Sequence, residues 1–268
     1  MEEGKQVQTQ VIVLISIVIL GSCLGNLSQT ALNAMFSGMA ADFGVQMELG
    51  QWVTTLYMLV LGITVPVVTY LTRRFPLKNV VLAALSLLVV GAAVDAIAPS
   101  FEVLVAGRAL QAVSAGITMP MMISIVMTSF PRDKQATVMG ITGIAMGFAP
   151  NIGPTIGGWM IGFAGWRSFF VALFACALVL LLLAAALIAR RPQADSSARL
   201  DGLSLLLSAL GFGGLLLGFS NASSFGLASP YIWAPAILGV LFVALYLRRQ
   251  KHIEHPLTNL HIFDSWRY

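Results

Sequence analysis

The sequence predicts an all-α membrane protein: one bundle of six membrane-crossing helices followed by two more. Three observations carry this. Of the 268 residues, 58% are hydrophobic and only 10% charged, against about 25% charged in an ordinary soluble domain, and the mean hydropathy is +0.88. Apolar runs long enough to span a bilayer recur along the whole chain, at roughly 11–36, 51–71, 79–98, 102–129, 136–162, 167–189, 202–220 and 231–247. Lys and Arg collect in alternate connections between these runs, as they do in polytopic proteins.

The first run follows Glu2, Glu3 and Lys5 and has no small-residue cleavage site, so it reads as a retained helix and not a removed leader. Arg73, Arg74 and Lys78 lie between helices 2 and 3, and Arg132 and Lys134 between helices 4 and 5. Arg190, Arg191 and Arg199 follow helix 6; Arg248, Arg249 and Lys251 follow helix 8. The other connections, 37–50, 99–101 and 221–230, carry no Lys or Arg. The positive-inside rule therefore predicts a multi-pass protein of the inner cell membrane with both termini of this chain in the cytoplasm. Arg167, at the outer start of helix 6, runs against the trend.

Four regions follow: a six-helix bundle over 1–189, a polar cytoplasmic linker over 190–201 (RRPQADSSARLD), two further membrane helices over 202–247, and a juxtamembrane segment over 248–268. Phe263, Trp266 and Tyr268 read as interfacial anchors before a ninth helix that is absent here. Cys23 and Cys176 fall in apolar runs, which predicts two buried thiols and not a disulfide. The net charge of +4 belongs to loop anchors scattered among apolar runs, so no nucleic-acid partner is expected.

Helix 5 carries the densest pattern, AMGFAPNIGPTIGGWMIG over 145–162. Pro150 and Pro154 sit inside it, tolerable in a membrane where neighbouring groups satisfy the freed backbone. Gly143/Gly147, Gly153/Gly157 and Gly158/Gly162 each form a G-x-x-x-G pair, which lets another backbone come close. On spacing alone this is a kinked, tightly packed helix. The string Gly153-Pro154-x-x-Gly157-Gly158 also resembles the antiporter motif of drug:proton antiporters in the major facilitator superfamily. There the helix lines the meeting of the two transporter halves, which implies that the 143–162 face packs against a second half.

Helix 4 holds Arg108, six residues after Glu102 and so roughly 9 Å along the axis. A charge there either snorkels to the outer interface or faces a partner or cavity. The surrounding GRALQAVSAG resembles the R-x-x-Q-G motif of the same antiporters, with Ala112 in place of the glycine. The resemblance implies a cavity-facing Arg108 tied to proton coupling, with Gln111 sharing its helix face.

Other segments extend the likeness. QTALNAMFSGMAADFG at the end of helix 1 is similar to the family's signature there: Asn33 and Asp42 match, Ser37 replaces a proline, and Ser28 stands where fourteen-helix members carry an aspartate. The spans place no acidic residue deep in helices 1–6, with Asp95 near the outer end of helix 3. The loop LTRRFPLKNVVL resembles L-x-D-R-x-G-R-R, with Arg73 at the aspartate position, Pro76 at the glycine position, and Arg74 and Lys78 keeping their charge. It reads either as a gating loop bridging helices or as ordinary anchoring to anionic lipid. Gly165-Trp166-Arg167 through Phe170 resembles the start of helix 6, and Asp201-Gly202 the start of helix 7, in the fourteen-helix (EmrB/QacA-type) subgroup.

The resemblance implies the N-terminal part of a proton-coupled multidrug efflux transporter, built from two three-helix inverted repeats and exporting lipophilic or cationic compounds by alternating access. Its implied partners are the drug-like substrate, protons and the bilayer. The alternative is a non-transporting fragment that assembles with a separate second half or with itself. Nothing supports an enzyme: there is no P-loop and no Ser/His/Asp or metalloprotease pattern, and no cofactor is expected. Gly211-x-Gly213-Gly214 lies inside an apolar helix, His252-x-x-His255 reads as a solvated pair before Pro256, and Met119, Met121 and Met122 read as packing.

Overall fold

The computed structural model describes residues 2–189, 201–225, 229–251 and 253, and within them the chain is eight helices and no strands. They are α1 (Glu2–Phe43), α2 (Glu48–Arg74), α3 (Leu77–Ala96), α4 (Phe101–Ser129), α5 (Arg132–Ala164), α6 (Trp166–Leu187), α7 (Gly202–Phe225) and α8 (Pro230–Gln250). Each is long and apolar enough to cross a membrane. The linker except Asp201, the aromatic anchors Phe263, Trp266 and Tyr268, and the His252/His255 pair lie outside the described residues.

All eight predicted spans are helices, but several run longer than their apolar cores. α1 extends beyond 11–36 at both ends, because nothing in the flanking polar residues breaks a helix until Gly44 turns the chain at φ +65°. Pro76 and Pro131 stand immediately before α3 and α5, and Pro230 opens α8, positions where a missing N–H costs nothing. Pro66, Pro120, Pro150, Pro154 and Pro235 sit inside helices that continue through them.

The packing within the first six helices is reciprocal: α1 lies along α5 as α4 lies along α2, while α3 packs on both α4 and α6. Close backbone approach makes this possible. A Cβ at Gly91 would stand 2.7 Å from the carbonyl oxygen of Gly107, and one at Gly116 would stand 2.9 Å from that of Leu61. Two large apolar cores result, with two small clusters around Tyr57 and Leu88 beside them. One core gathers Val18, Val81, Leu85, Met121 and Ile125; the other gathers Leu32, Met35, Leu104, Phe170 and Leu173. Met121 and Met122 are core residues, in line with their packing role.

α7 and α8 form a hairpin that docks on α2. The glycines at 211 and 214 serve this contact: a Cβ at Gly214 would meet Gly239 of α8 at 2.9 Å. Thr55 and Ser220 hydroxyls lie 2.8 Å apart across the α2–α7 seam. At the start of α7, Asp201 accepts from the Ser204 hydroxyl at 2.5 Å and the Ser204 N–H at 3.4 Å, capping the helix. The same carboxylate takes a two-pronged contact from Arg249 of α8, at 3.0 and 3.1 Å.

The cysteines depart from expectation. Cys23 is half-buried, but Cys176 is exposed on the outer face of α6, where the lipid tails would solvate a thiol as readily as a core does.

Arg249's hydrogen bonds hold the Asp201 carboxyl down at about 2. A depressed folded-state value adds stability that is present above the ordinary carboxylate range and lost as pH falls through about 2. The hairpin clasp should therefore be intact throughout the neutral range. A double-mutant cycle of Asp201→Ala and Arg249→Ala on detergent thermal unfolding should give a favourable coupling, the double variant losing less than the two single variants summed; additive single effects would remove the clasp from the account.

Candidate functional site

The two apolar cores are separated at the waist of the bundle by a polar layer. Ser28 lies on α1 between the residues committed to each core, and Arg108 and Gln111 occupy the same level of α4. Arg108 is 2% exposed and Ser28, Gln111 and Asp95 are wholly buried. Arg108 therefore does not snorkel. Its Nη1 donates to Ser28 Oγ at 2.7 Å and to Gln111 Oε1 at 2.8 Å. Ser28 in turn donates to Gln111 Oε1 at 2.7 Å, and Gln111 Nε2 donates to Asp95 Oδ2 at 2.6 Å. The guanidinium stacks over the Tyr57 ring with its carbon 4.6 Å from the ring centre. Side chains of α1, α2 and α4 thus meet on one cation, and Asp95 of α3 joins them through Gln111.

The i, i+3 spacing of Arg108 and Gln111 put them on one face, as the sequence suggested. Asp95 corrects the expectation that no acidic residue lies deep in helices 1–6. Its backbone is near the end of α3, yet side chains lean toward the N-terminus of their helix, which for α3 points inward from the loop. On antiparallel α4 the same rule leans Arg108 toward the loop, so the two converge. Gly107 makes room: a Cβ there would collide with Asp95 Oδ1. The signals available in the sequence were the short 97–100 connection, which forces α3 and α4 side by side, and Gly107 beside Arg108. Tyr57 carried no signal that singled it out.

Asn33 does not join this group. It is exposed and accepts from Thr54 Oγ1 at 3.4 Å, at the mouth of a groove of about 400 Å³ between α1 and α2 that Leu32, Phe36 and Thr55 also line. The groove is nonetheless adjacent to the buried layer, since Leu32 stands one turn from Ser28 and Thr54 about one turn from Tyr57.

The helix-5 motif divides between two faces. Gly153 and Gly157 are buried against α1: a Cβ at Gly153 would stand 2.9 Å from the Leu27 carbonyl oxygen, and one at Gly157 2.8 Å from that of Ala31. These two glycines therefore have their partner inside this chain, contrary to the expectation that the face as a whole awaits a second half. Pro154 and Gly158 are exposed, Pro150 is half-buried, and a Cβ at Gly140, Gly143, Gly147, Gly158 or Gly162 would meet nothing.

In the loop after α2, Lys78 bridges helices: its Nζ donates to the Ala185 carbonyl at 2.7 Å, near the end of α6. Arg74 lies over the Phe75 ring at 5.7 Å, and Arg73 is exposed at the end of α2. At the opposite end, Gly165 turns from α5 into α6 at φ +78° and aims Trp166 and Arg167 at α1. Trp166 Nε1 donates to Asp42 at 2.8 Å, and Arg167 pairs with the same carboxylate at 3.0 Å while donating to the Ala98 carbonyl at 3.2 Å. That local partnership accounts for the one basic residue against the charge trend.

The sequence profile of the Major Facilitator Superfamily matches residues 18–249. The chain is 36% identical to the uncharacterized MFS-type transporter YcnB of Bacillus subtilis, over 94% of this chain and 53% of that protein. It is 34% identical to the lincomycin resistance protein LmrB of Bacillus subtilis, over 94% of this chain and 52% of that one. With a multidrug resistance protein B homolog of Mycobacterium tuberculosis the identity is 29%, over 93% and 46%. The chain thus spans about half the length of the curated relatives it matches. In fold it is similar to the peptide transporter POT crystallised with sulfate, with a TM-score of 0.65 at 14% identity over 91% of this chain and 53% of that one. The human organic anion transporter MFSD10 (TETRAN) gives 0.59 at 16% identity, over 84% and 59%.

The split of the helix-5 glycines is testable in the 268-residue chain. Gly153→Val and Gly157→Val should each cost about 1–3 kcal/mol by forcing α1 off α5, whereas Gly158→Val should fall within about 0.5 kcal/mol of the unaltered chain. Equal destabilisation by all three in detergent thermal unfolding would contradict the assignment of faces.

Proposed function

Because this chain belongs to the Major Facilitator Superfamily of membrane transporters, we propose that it is the N-terminal part of a proton-coupled efflux transporter. Its substrates are lipophilic, often cationic compounds, moved by alternating access. The observation that carries the reading is a cation buried inside the helix bundle, Arg108, held by polar contacts from Ser28 on α1 and Gln111 on α4 and by an aromatic face on α2. Intramembrane charge is costly and is kept where it serves an ion or substrate path. Relatives named for lincomycin resistance and multidrug resistance support drug-like substrates, and Asn33 with Thr54 and Thr55 offers polar contacts in an otherwise apolar groove suited to them.

In this reading the ends bearing Arg73, Arg74, Lys78, Arg132 and Arg249 face the cytoplasm. Lys78 ties α3 to the end of α6 and biases the inward–outward balance. The proton gradient is the energy source in this reading. A second reading concerns the open face of α5. Gly140, Gly143, Gly147 and Gly158 offer a smooth surface to another helix, which the second half of a longer protein, or a second copy, would cover. Copies carrying Gly158→Cys should crosslink to each other if the partner is a second copy; absence of any self-crosslink would leave the second-half reading.

The main test uses everted membrane vesicles containing the polypeptide as the cell makes it, with ethidium and lincomycin as probes. Uptake should follow an imposed pH gradient and stop when nigericin dissipates it. Arg108→Ala should reduce gradient-driven uptake to background while membrane insertion is unchanged; full uptake by Arg108→Ala would remove this residue from the mechanism.

A further inference from the structure

Among the described residues Asp95 is the one acidic side chain that is completely buried, and half of it has no partner. Oδ2 accepts from Gln111 at 2.6 Å, but Oδ1 is shielded from solvent and hydrogen-bonded to nothing. An ionised carboxylate has lone pairs to fill on both oxygens, and leaving one buried and empty is expensive. The space that Oδ1 occupies is made by the missing Cβ of Gly107. A proton placed on Oδ1 displaces no existing contact and removes the buried charge.

The charged neighbours are few. On α4, Arg108 reaches Asp95 only through the Gln111 amide, which accepts from the guanidinium on one side and donates to the carboxylate on the other. On α1, Ser28 meets Arg108 and Gln111 but not Asp95. On α2, Tyr57 lies against the guanidinium. On α6, Arg167 is committed to Asp42 and the Ala98 carbonyl, and Glu102 on the first turn of α4 is exposed. Asp95 is therefore the anion that balances Arg108.

We propose that Asp95 is the group that carries the exchanged proton, bound at Oδ1; this rests on the proton-coupled reading above. When the proton leaves, the Oδ1–H bond breaks, its electron pair stays on the carboxylate, and the proton passes to water. Asp95 and Arg108 are then neutral as a pair. When the proton returns, Arg108 is left uncompensated and the layer carries a net positive charge. A lipophilic cation in the groove beside Asn33 and Thr54 favours the neutral pair, because like charges repel strongly in a low-dielectric setting. Cation and proton thus exclude each other, which is the condition for exchange in opposite directions. The two charge states also differ in what binds α3 to α4, giving the bundle two arrangements to alternate between.

The experiment compares the unaltered full polypeptide with Asp95→Asn in reconstituted vesicles, using ethidium. Two readouts are taken: accumulation driven by an imposed pH gradient, and ethidium binding across a range of pH. Asn leaves Arg108 uncompensated just as the protonated acid does. The expected result is that the unaltered protein binds ethidium more tightly as pH rises, whereas Asp95→Asn loses accumulation, at least tenfold, and binds ethidium weakly and equally at every pH. Accumulation that survives in Asp95→Asn overturns the assignment, and so does binding in Asp95→Asn that still strengthens with pH. If the unaltered protein binds ethidium but shows no gradient-driven accumulation, it is the proton-coupled reading that fails. Should Asp95→Asn not reach the membrane, Asp95→Glu replaces it: retained accumulation with a shifted pH dependence supports the assignment, and an unshifted one overturns it.

Discussion

The constraint on which this structure depends is the cost of keeping a guanidinium inside a membrane. Arg108 is 2% exposed, among helices that are otherwise apolar at that level. Such a charge persists only if every neighbouring helix contributes. α1 gives Ser28, α2 the Tyr57 ring, α3 the balancing Asp95 through Gln111, and α4 the cation itself. The close glycine crossings follow from the same need, since Gly91 and Gly107 bring α3 and α4 near enough for Gln111 to span the gap. The two apolar cores are what remains above and below this layer.

Much of the fold was legible because bilayer length and charge placement are one-dimensional signals. Eight apolar runs gave eight helices, and Arg108 with Gln111 could be read as one face from their spacing alone. What the sequence obscured was side-chain direction and helix phase. Asp95 looks terminal by residue count but leans inward, and so joins Arg108 through Gln111. On α5, Gly153 and Gly158 are five residues apart, roughly 140° around the helix at about 100° per residue. One faces α1 and the other faces open space, although both belong to a single motif string. Arg167 looked anomalous because its partner, Asp42, lies at the far end of α1 in the chain.

The remaining elements frame that site. The α7–α8 hairpin is held to itself by glycines and the Asp201–Arg249 contact and rests on α2. It leaves the exposed stripe of α5 uncovered. Lys78 and Arg167 fasten the two ends of the six-helix bundle, one to the end of α6 and the other to the end of α1.

The most direct test of that account is proton release. Ethidium would be added to the purified full-length protein in weakly buffered detergent solution, with the pH followed by an indicator dye. A coupled layer predicts protons released in proportion to protein, fewer as the starting pH is raised. Binding of ethidium with no pH change at any starting pH would contradict the claim that the buried charges couple substrate to proton.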